Sequence, residues 1–297
     1  MTDPKELVRQ AEQKLKGGFL SFLTGGPNFE DAADIYQQAA NQYKLAKDWN
    51  EAAKCFEQCA YCARKSGDAN SEANFLQEAG NVYKKTSTAM AVEQYEKAIA
   101  ILGANGRFQQ SGKLLMSIGE LYEAERFNHK EAKDFYKRAA EMFELEDHGK
   151  SNYTKCILKV AEFAAKDGEL QEAIRIFESE GEKALQNTLL QYGAKDHFLR
   201  AGILHLVQGD SVTTNLAIQK YSSLDPRFAS SREGDLIKDL AAAFEDHDVE
   251  TFTNVLFDYD KTTPLDSWKT EFLVKVKESM TGGAGGDPME GGMPDLT

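Results

Sequence analysis

One spacing of small and aromatic residues constrains this chain more than any other feature. In the stretch Glu131–Ala140, Ala132 is followed by Tyr136 four residues later and by Ala139 three after that. On a helix these positions share one face, while Lys133, Asp134, Lys137 and Arg138 fall mostly elsewhere. An alanine opposite an aromatic lets two helices approach closely, and the ring fills the remaining gap. Ala91, Tyr95 and Ala98 repeat the set 41 residues earlier, and Ala173 with Phe177 repeat it 41 residues later. Ala52 with Phe56 and Ala32 with Tyr36 carry it further upstream. A second pattern lies between these segments. Ala79-Gly80-Asn81-Val82-Tyr83 matches Ile118-Gly119-Glu120-Leu121-Tyr122, which in turn matches Val160-Ala161-Glu162-Phe163.

Two alternating helix types with a period near 40 predict stacked antiparallel hairpins, as in tetratricopeptide repeats. The fold class expected is all-α: a TPR-like right-handed solenoid closed by a C-terminal helical bundle. No proline occurs from Asn28 to Asp225, which suits helices joined by short turns. Breaks are expected at 47–49, 66–68, 85–87, 103–106, 127–129, 147–149, 167–169 and 208–210, each a cluster of glycine or small polar residues. After Asp225-Pro226 the repeat signature fades into three amphipathic segments around Leu236–Phe244, Val249–Leu256 and Trp268–Val276. The expected organisation is a hairpin array over 1–225, a bundle over 226–280 and a Gly-rich, acidic tail over 281–297.

Composition narrows the function. The net charge of −13 disfavours generic nucleic-acid binding, which needs a basic face to neutralise phosphates. No stretch approaches the ~18 consecutive apolar residues of a membrane span. The start, Met1-Thr2-Asp3-Pro4-Lys5-Glu6, lacks the basic and apolar regions of a signal peptide, so the expected compartment is the cytoplasm. Cys55, Cys59 and Cys62 share one helix face; with no second ligand pair at a zinc spacing, they read with Cys156 as small core residues. Gly106–Lys113 has the wrong glycine spacing for a phosphate loop and Leu114 where Ser or Thr is needed. The five histidines show no metal spacing, and no nucleophile constellation is evident. These readings describe an interaction protein with no catalytic residues, cofactor or metal.

Several stretches then resemble one family. They are the apolar loop Phe19–Gly26, Lys44–Trp49, Ala79-Gly80-Asn81, Gly106-Arg107-Phe108, Lys155–Ala161, Tyr192–Asp196, Ala217–Tyr221, Ser231-Arg232-Glu233 and Leu265-Asp266-Ser267-Trp268. Over essentially its whole length the chain resembles the soluble NSF attachment proteins of the alpha/beta type. The resemblance implies an adaptor in vesicle fusion and membrane trafficking, at the cytosolic face of membranes. Such adaptors coat the SNARE four-helix bundle, several copies to a bundle, and recruit and stimulate the hexameric ATPase NSF, which disassembles it. A generic TPR-like scaffold or co-chaperone binding a peptide is the alternative, but it would need neither the apolar loop nor the tail.

The resemblance also carries over three sets of residues. Phe19, Leu20, Phe22 and Leu23, in the loop 17–27, correspond to a membrane-touching loop. Arg107, Lys113, Lys155, Lys159, Lys195 and Arg232 correspond to SNARE-binding positions. Asp295 and Leu296 correspond to the acidic-leucine ending that docks and stimulates NSF, although here a Gly-rich spacer replaces part of the acidic run.

Overall fold

A computed structural model describes residues 3–16, 27–125, 128–146 and 148–282. The loop residues Phe19, Leu20, Phe22 and Leu23 and the tail residues Asp295 and Leu296 lie outside the described residues. Among the described residues all regular structure is helical: α1 (Pro4–Lys16), α2 (Phe29–Leu45), α3 (Trp49–Ser66), α4 (Ala69–Tyr83), α5 (Thr88–Ala104), α6 (Phe108–Ala124), α7 (His129–Glu144), α8 (Lys150–Lys166), α9 (Leu170–Leu185), α10 (Ala194–Gln208), α11 (Ser211–Leu224), α12 (Pro226–Ala229), α13 (Arg232–Glu245), α14 (Val249–Asp260) and α15 (Ser267–Met280). The all-α, TPR-like hairpin class is the one the repeat predicts.

The polar turns start the helices. The side chains of Asp48, Asp68, Ser87, Asp210, Ser231, Asp248 and Asp266 each accept a backbone N–H bond from the first turn that follows. Each satisfies a donor that a helix start leaves open. Gly67 and Gly209 end α3 and α10 in the left-handed conformation, at φ 77° and 81°, which glycine adopts without steric cost.

The chain forms two compact units, Met1–Phe163 and Ala164–Thr297. The end of the repeat signature at 225 falls inside the second. In the first unit, α1 through α7 pack each on the next. The Ala91/Tyr95/Ala98 and Ala132/Tyr136/Ala139 sets are buried. Each ring lies on a residue without a side chain. A Cβ added at Gly80 would come within 2.6 Å of the Tyr95 ring, and one at Gly119 within 3.2 Å of Tyr136. The phenol groups fix the register: Tyr95 donates to Asn81 Oδ1 at 2.7 Å and Tyr136 to Glu123 Oε2 at 2.7 Å.

In the second unit the same contact recurs, with Phe198 of α10 on Gly181 of α9 at 2.6 Å from an added Cβ. Phe198 also stacks on Tyr221 with ring centroids 4.9 Å apart. α10 packs against α9, α11, α13 and α15, and nine of its fifteen residues are buried, as expected of a helix that is apolar on most sides. Glu178 ties α9, α10 and α11 together. It accepts from Tyr221 Oη at 2.6 Å and Lys220 Nζ at 2.9 Å, and lies 3.8 Å from His205 Nε2. Burial pushes the Glu178 pKa up, but the nearby His205 and the hydrogen bonds from Tyr221 and Lys220 outweigh it and hold the carboxyl at about 2.

Two predictions follow from this packing. Gly181→Ala should destabilise the protein by roughly 1–3 kcal/mol through the clash with Phe198. Gly103→Ala, with nothing within 4 Å of the added Cβ in α5, should stabilise it by up to ~1 kcal/mol through helix propensity. Urea denaturation of the two variants should therefore move in opposite directions. The second concerns pH. Glu178 binds its proton less readily folded than unfolded, so its contribution is present above the ordinary carboxylate pKa of 4.5 and is lost as pH falls toward about 2. Glu178→Gln should lower the denaturation midpoint at pH 7, and its difference from the parent protein should shrink steadily from pH 5 to pH 3.

Candidate partner-binding surfaces

The first unit carries four of the expected cationic positions. Arg107 precedes α6 and is exposed, and its side chain makes no capping bond. Lys113 on α6 and Lys155 on α8 are also exposed, and neither is in an ion pair among the described residues. Their burial pattern follows from sequence. Lys113 lies beside buried Gly112 and Leu114, and Lys155 beside Cys156, so each is the solvent-side residue of a helix whose other side is core.

Lys159 differs from its neighbours. Its ammonium contacts Glu123 Oε1 at 2.7 Å and Glu162 Oε2 at 3.1 Å. Burial alone would lower its pKa, but the hydrogen bonds and charges of the two glutamates outweigh this and raise it. Glu123 is the same carboxylate that receives the Tyr136 hydroxyl. Lys159 therefore links α6, α7 and α8 through one acidic side chain.

In the second unit, Lys195 in the first turn of α10 meets Glu233 Oε1 at 3.0 Å and keeps an exposed flank. Arg232, at the start of α13, is exposed and reaches Thr263 Oγ1 at 3.4 Å.

A further surface lies beside Lys195, where no break was expected. α9 stops at Leu185, and residues 186–193 form a turn that ends in the short 3-10 helix Gln191–Gly193. Hydrogen bonds within the turn brace it: Asn187 Oδ1 accepts from Leu189 N at 2.9 Å and Leu190 O from Gly193 N at 2.8 Å. Its apolar side chains point outward, with Leu189 87% and Tyr192 70% exposed and Leu190 also exposed. Arg227 places its guanidinium 5.7 Å from the Tyr192 ring and donates to Gln191 Oε1 at 2.6 Å. Tyr192, Lys195 and Arg227 line one small cleft. An exposed apolar cluster with a tyrosine beside an arginine is the kind of patch that marks an interaction site, Tyr and Arg being the residues enriched at interface centres. The signal available in the sequence was the run Leu189-Leu190-Gln191-Tyr192-Gly193, whose glycine marks the end of a turn while its leucines imitate a continuing helix.

The cysteines are core residues. All four are buried, and burial pushes the thiols of Cys55 and Cys156 up to about 12, far from the thiolate that reactivity requires. Among the described residues no group of three His, Cys, Asp or Glu is placed to hold a metal, and no helix is long and apolar enough to cross a membrane.

Comparison with known proteins agrees over most of the chain. The family model described as "Soluble NSF attachment protein, SNAP" matches residues 2–281. An alpha-soluble NSF attachment protein of Vitis vinifera is 39% identical over 93% of this chain and 93% of its own. A probable vesicular-fusion protein, the sec17 homologue of Schizosaccharomyces pombe, is 33% identical over 94% of this chain and 97% of its own. Among solved structures, the signal-transduction ATPase with a tetratricopeptide repeat sensor from Pyrococcus horikoshii aligns with a TM-score of 0.52 at 15% identity, over 93% of this chain and 44% of that one. That likeness concerns the fold alone.

The two kinds of lysine separate experimentally. Lys155→Ala should leave the unfolding free energy from urea denaturation within about 0.5 kcal/mol of the parent, as an exposed residue without an ion pair does. Lys159→Ala should cost about 1 kcal/mol once solvent screening is allowed for, because Glu123 and Glu162 lose their cation. Equal midpoints for both variants would remove the distinction.

Proposed function

The chain belongs to the soluble NSF attachment protein family, whose role is in vesicle fusion, and we propose that it is the adaptor joining assembled SNARE complexes to the ATPase NSF. Several copies would bind one SNARE four-helix bundle and stimulate NSF to disassemble it, with ATP hydrolysed by the partner. The observation that carries this reading is the family match over residues 2–281, combined with Lys113 and Lys155 exposed at the expected contact positions.

The electrostatics are consistent with it. A protein of net charge −13 can orient against an acidic helical bundle only through local basic groups. Such groups contribute specificity and association rate more than raw affinity. In this reading Arg107, Lys113 and Lys155 are the free contacts of the first unit, and Lys159 serves chiefly to hold the helices that present them. In the second unit Lys195 and Arg232 contribute charge, and Leu189, Leu190 and Tyr192 contribute the apolar contact that charges alone do not supply.

The membrane surface and NSF are assigned to segments outside the described residues. Phe19, Leu20, Phe22 and Leu23 would enter a bilayer surface, each contributing at most ~1.5–3 kcal/mol. That is marginal for anchoring alone, so the bound SNARE bundle acts as the second attachment. Asp295 and Leu296 would dock and stimulate NSF.

Lys113→Glu with Lys155→Glu should abolish pull-down of assembled SNARE complex while the circular dichroism spectrum is unchanged; retained binding would refute the basic contact. Leu296→Ala should keep SNARE binding but reduce NSF turnover in an ATPase-coupled disassembly assay, and unchanged turnover would take the tail out of the mechanism. Phe19→Ser with Phe22→Ser should lower disassembly on liposomes and leave disassembly in solution intact.

A further inference from the structure

Two stretches that carry the family resemblance, Tyr192–Asp196 and Leu265–Trp268, supply side chains for which the contacts above find no use. The fold brings them together. In the second unit, Asp196 and Arg200 of α10 face Asp266, Trp268 and Lys269 at the start of α15. Arg200 Nε donates to Asp196 Oδ2 at 3.0 Å and Arg200 Nη2 to Asp266 Oδ2 at 2.7 Å. Lys269 Nζ lies 3.0 Å from Asp266 Oδ2 and also bonds Asp196 Oδ1. Two carboxylates and two cations thus alternate in a closed, neutral ring.

The cations are the sunken members. Arg200 is 13% exposed and Lys269 11%, whereas both aspartates keep about two-fifths of their surface in solvent. The guanidinium rests 5.0 Å from the Trp268 ring and 5.9 Å from Phe177. The Asp196 and Asp266 pKa values are both lowered: burial opposes ionisation, and the adjoining Arg200 and Lys269 outweigh it. A buried ion cluster adds little net stability over apolar side chains of the same volume. What a planar guanidinium bridging two carboxylates adds is a fixed geometry.

The geometry being fixed is that of the first turn of α10. Asp196 directly follows Lys195 and lies four residues after Tyr192, so the ring clamps the turn that carries the exposed apolar side chains and the contact lysine. It also neutralises Asp196, whose unpaired carboxylate beside Lys195 would repel an acidic partner. We propose that Asp266, acting through Arg200 and Lys269, is a positioning residue for partner binding: from α15 it holds the Leu189–Lys195 contact turn in its binding geometry. This inference rests on the adaptor reading above.

Asp266→Asn is a selective probe, because Asn caps a helix about as well as Asp, and the change falls on the charged oxygen that Arg200 and Lys269 share. Affinity for the assembled SNARE bundle is measured by titration in four full-length proteins: parent, Asp266→Asn, Tyr192→Ala with Lys195→Ala, and the triple variant. Asp266→Asn should weaken binding by roughly 3–10-fold in the parent, in the coupling range of residues in one network, and have little further effect once Tyr192 and Lys195 are gone. Equal affinity of Asp266→Asn and parent, or the same fold loss in both backgrounds, would overturn the proposal. So would full binding by the Tyr192→Ala, Lys195→Ala variant, since the turn would then make no contact. If Asp266→Asn fails to fold by circular dichroism, the same cycle is run with Asp196→Asn, whose carboxylate is more than two-fifths exposed. A parent protein that does not bind the SNARE bundle at all would instead refute the adaptor reading itself.

Discussion

An aromatic ring laid on a helix where the facing residue has no side chain is the contact on which the rest of the structure depends. Tyr95 on Gly80, Tyr136 on Gly119 and Phe198 on Gly181 are three instances, spread over both compact units. The contact brings backbones near enough that the ring replaces the missing side chain, and interior packing density leaves no other solution at that spacing. In two of the three the ring also carries a hydroxyl that finds a polar acceptor on the facing helix, Asn81 or Glu123. The ring fixes the distance between helices and the hydroxyl fixes how far one can slide along the other. Polar side chains on the remaining faces are then placed by the hairpin frame, not by their own interactions.

Within that frame, lysines of the same apparent class separate into two kinds. Glu123 receives the Tyr136 hydroxyl and also draws in Lys159, so one carboxylate serves both the ring contact and the ion pair. Lys155, one turn earlier on the same helix, has no such acceptor and stays in solvent. A cation already satisfied by two glutamates has less to offer an acidic partner than one that is only hydrated, since the partner must displace existing bonds before making new ones. Position in a motif and availability for contact are therefore different properties, and the second depends on what the neighbouring helix presents.

This difference marks how far the sequence could be read. The hairpins were legible because the Ala–aromatic–Ala offsets are local and recur, and the turns because glycine and aspartate clusters carry their own geometry. The break after Leu185 was not, because Leu189 and Leu190 continue an apolar pattern through a turn braced by hydrogen bonds to Asn187 and within its backbone. Lys159 could be placed on α8, but its partner Glu123 lies 36 residues away on another helix. Arg200 and Asp266 are 66 residues apart, a pairing no spacing rule reports. Fading of the repeat after Asp225 reflects the loss of the Ala–aromatic signature. Packing follows other lines, since α10, well upstream, already contacts helices on both sides of that point.

The burial of α10 limits which of its own residues remain accessible. A helix packed against α9, α11, α13 and α15 has no free flank long enough to form a contact stripe, so only its ends are available. Its C-terminal end is closed by Gly209 in a left-handed cap followed at once by Asp210, which caps α11. Its N-terminal end instead opens onto the turn with Leu189, Leu190 and Tyr192 and then Lys195. Exposed leucines at this turn carry a solvation cost that the isolated fold does not recover, while Phe198, Tyr221 and Phe228 of the same unit satisfy their rings on one another. In the proposed reading, the ion ring of Asp196, Arg200, Asp266 and Lys269 at the next turn keeps this apolar tip from shifting.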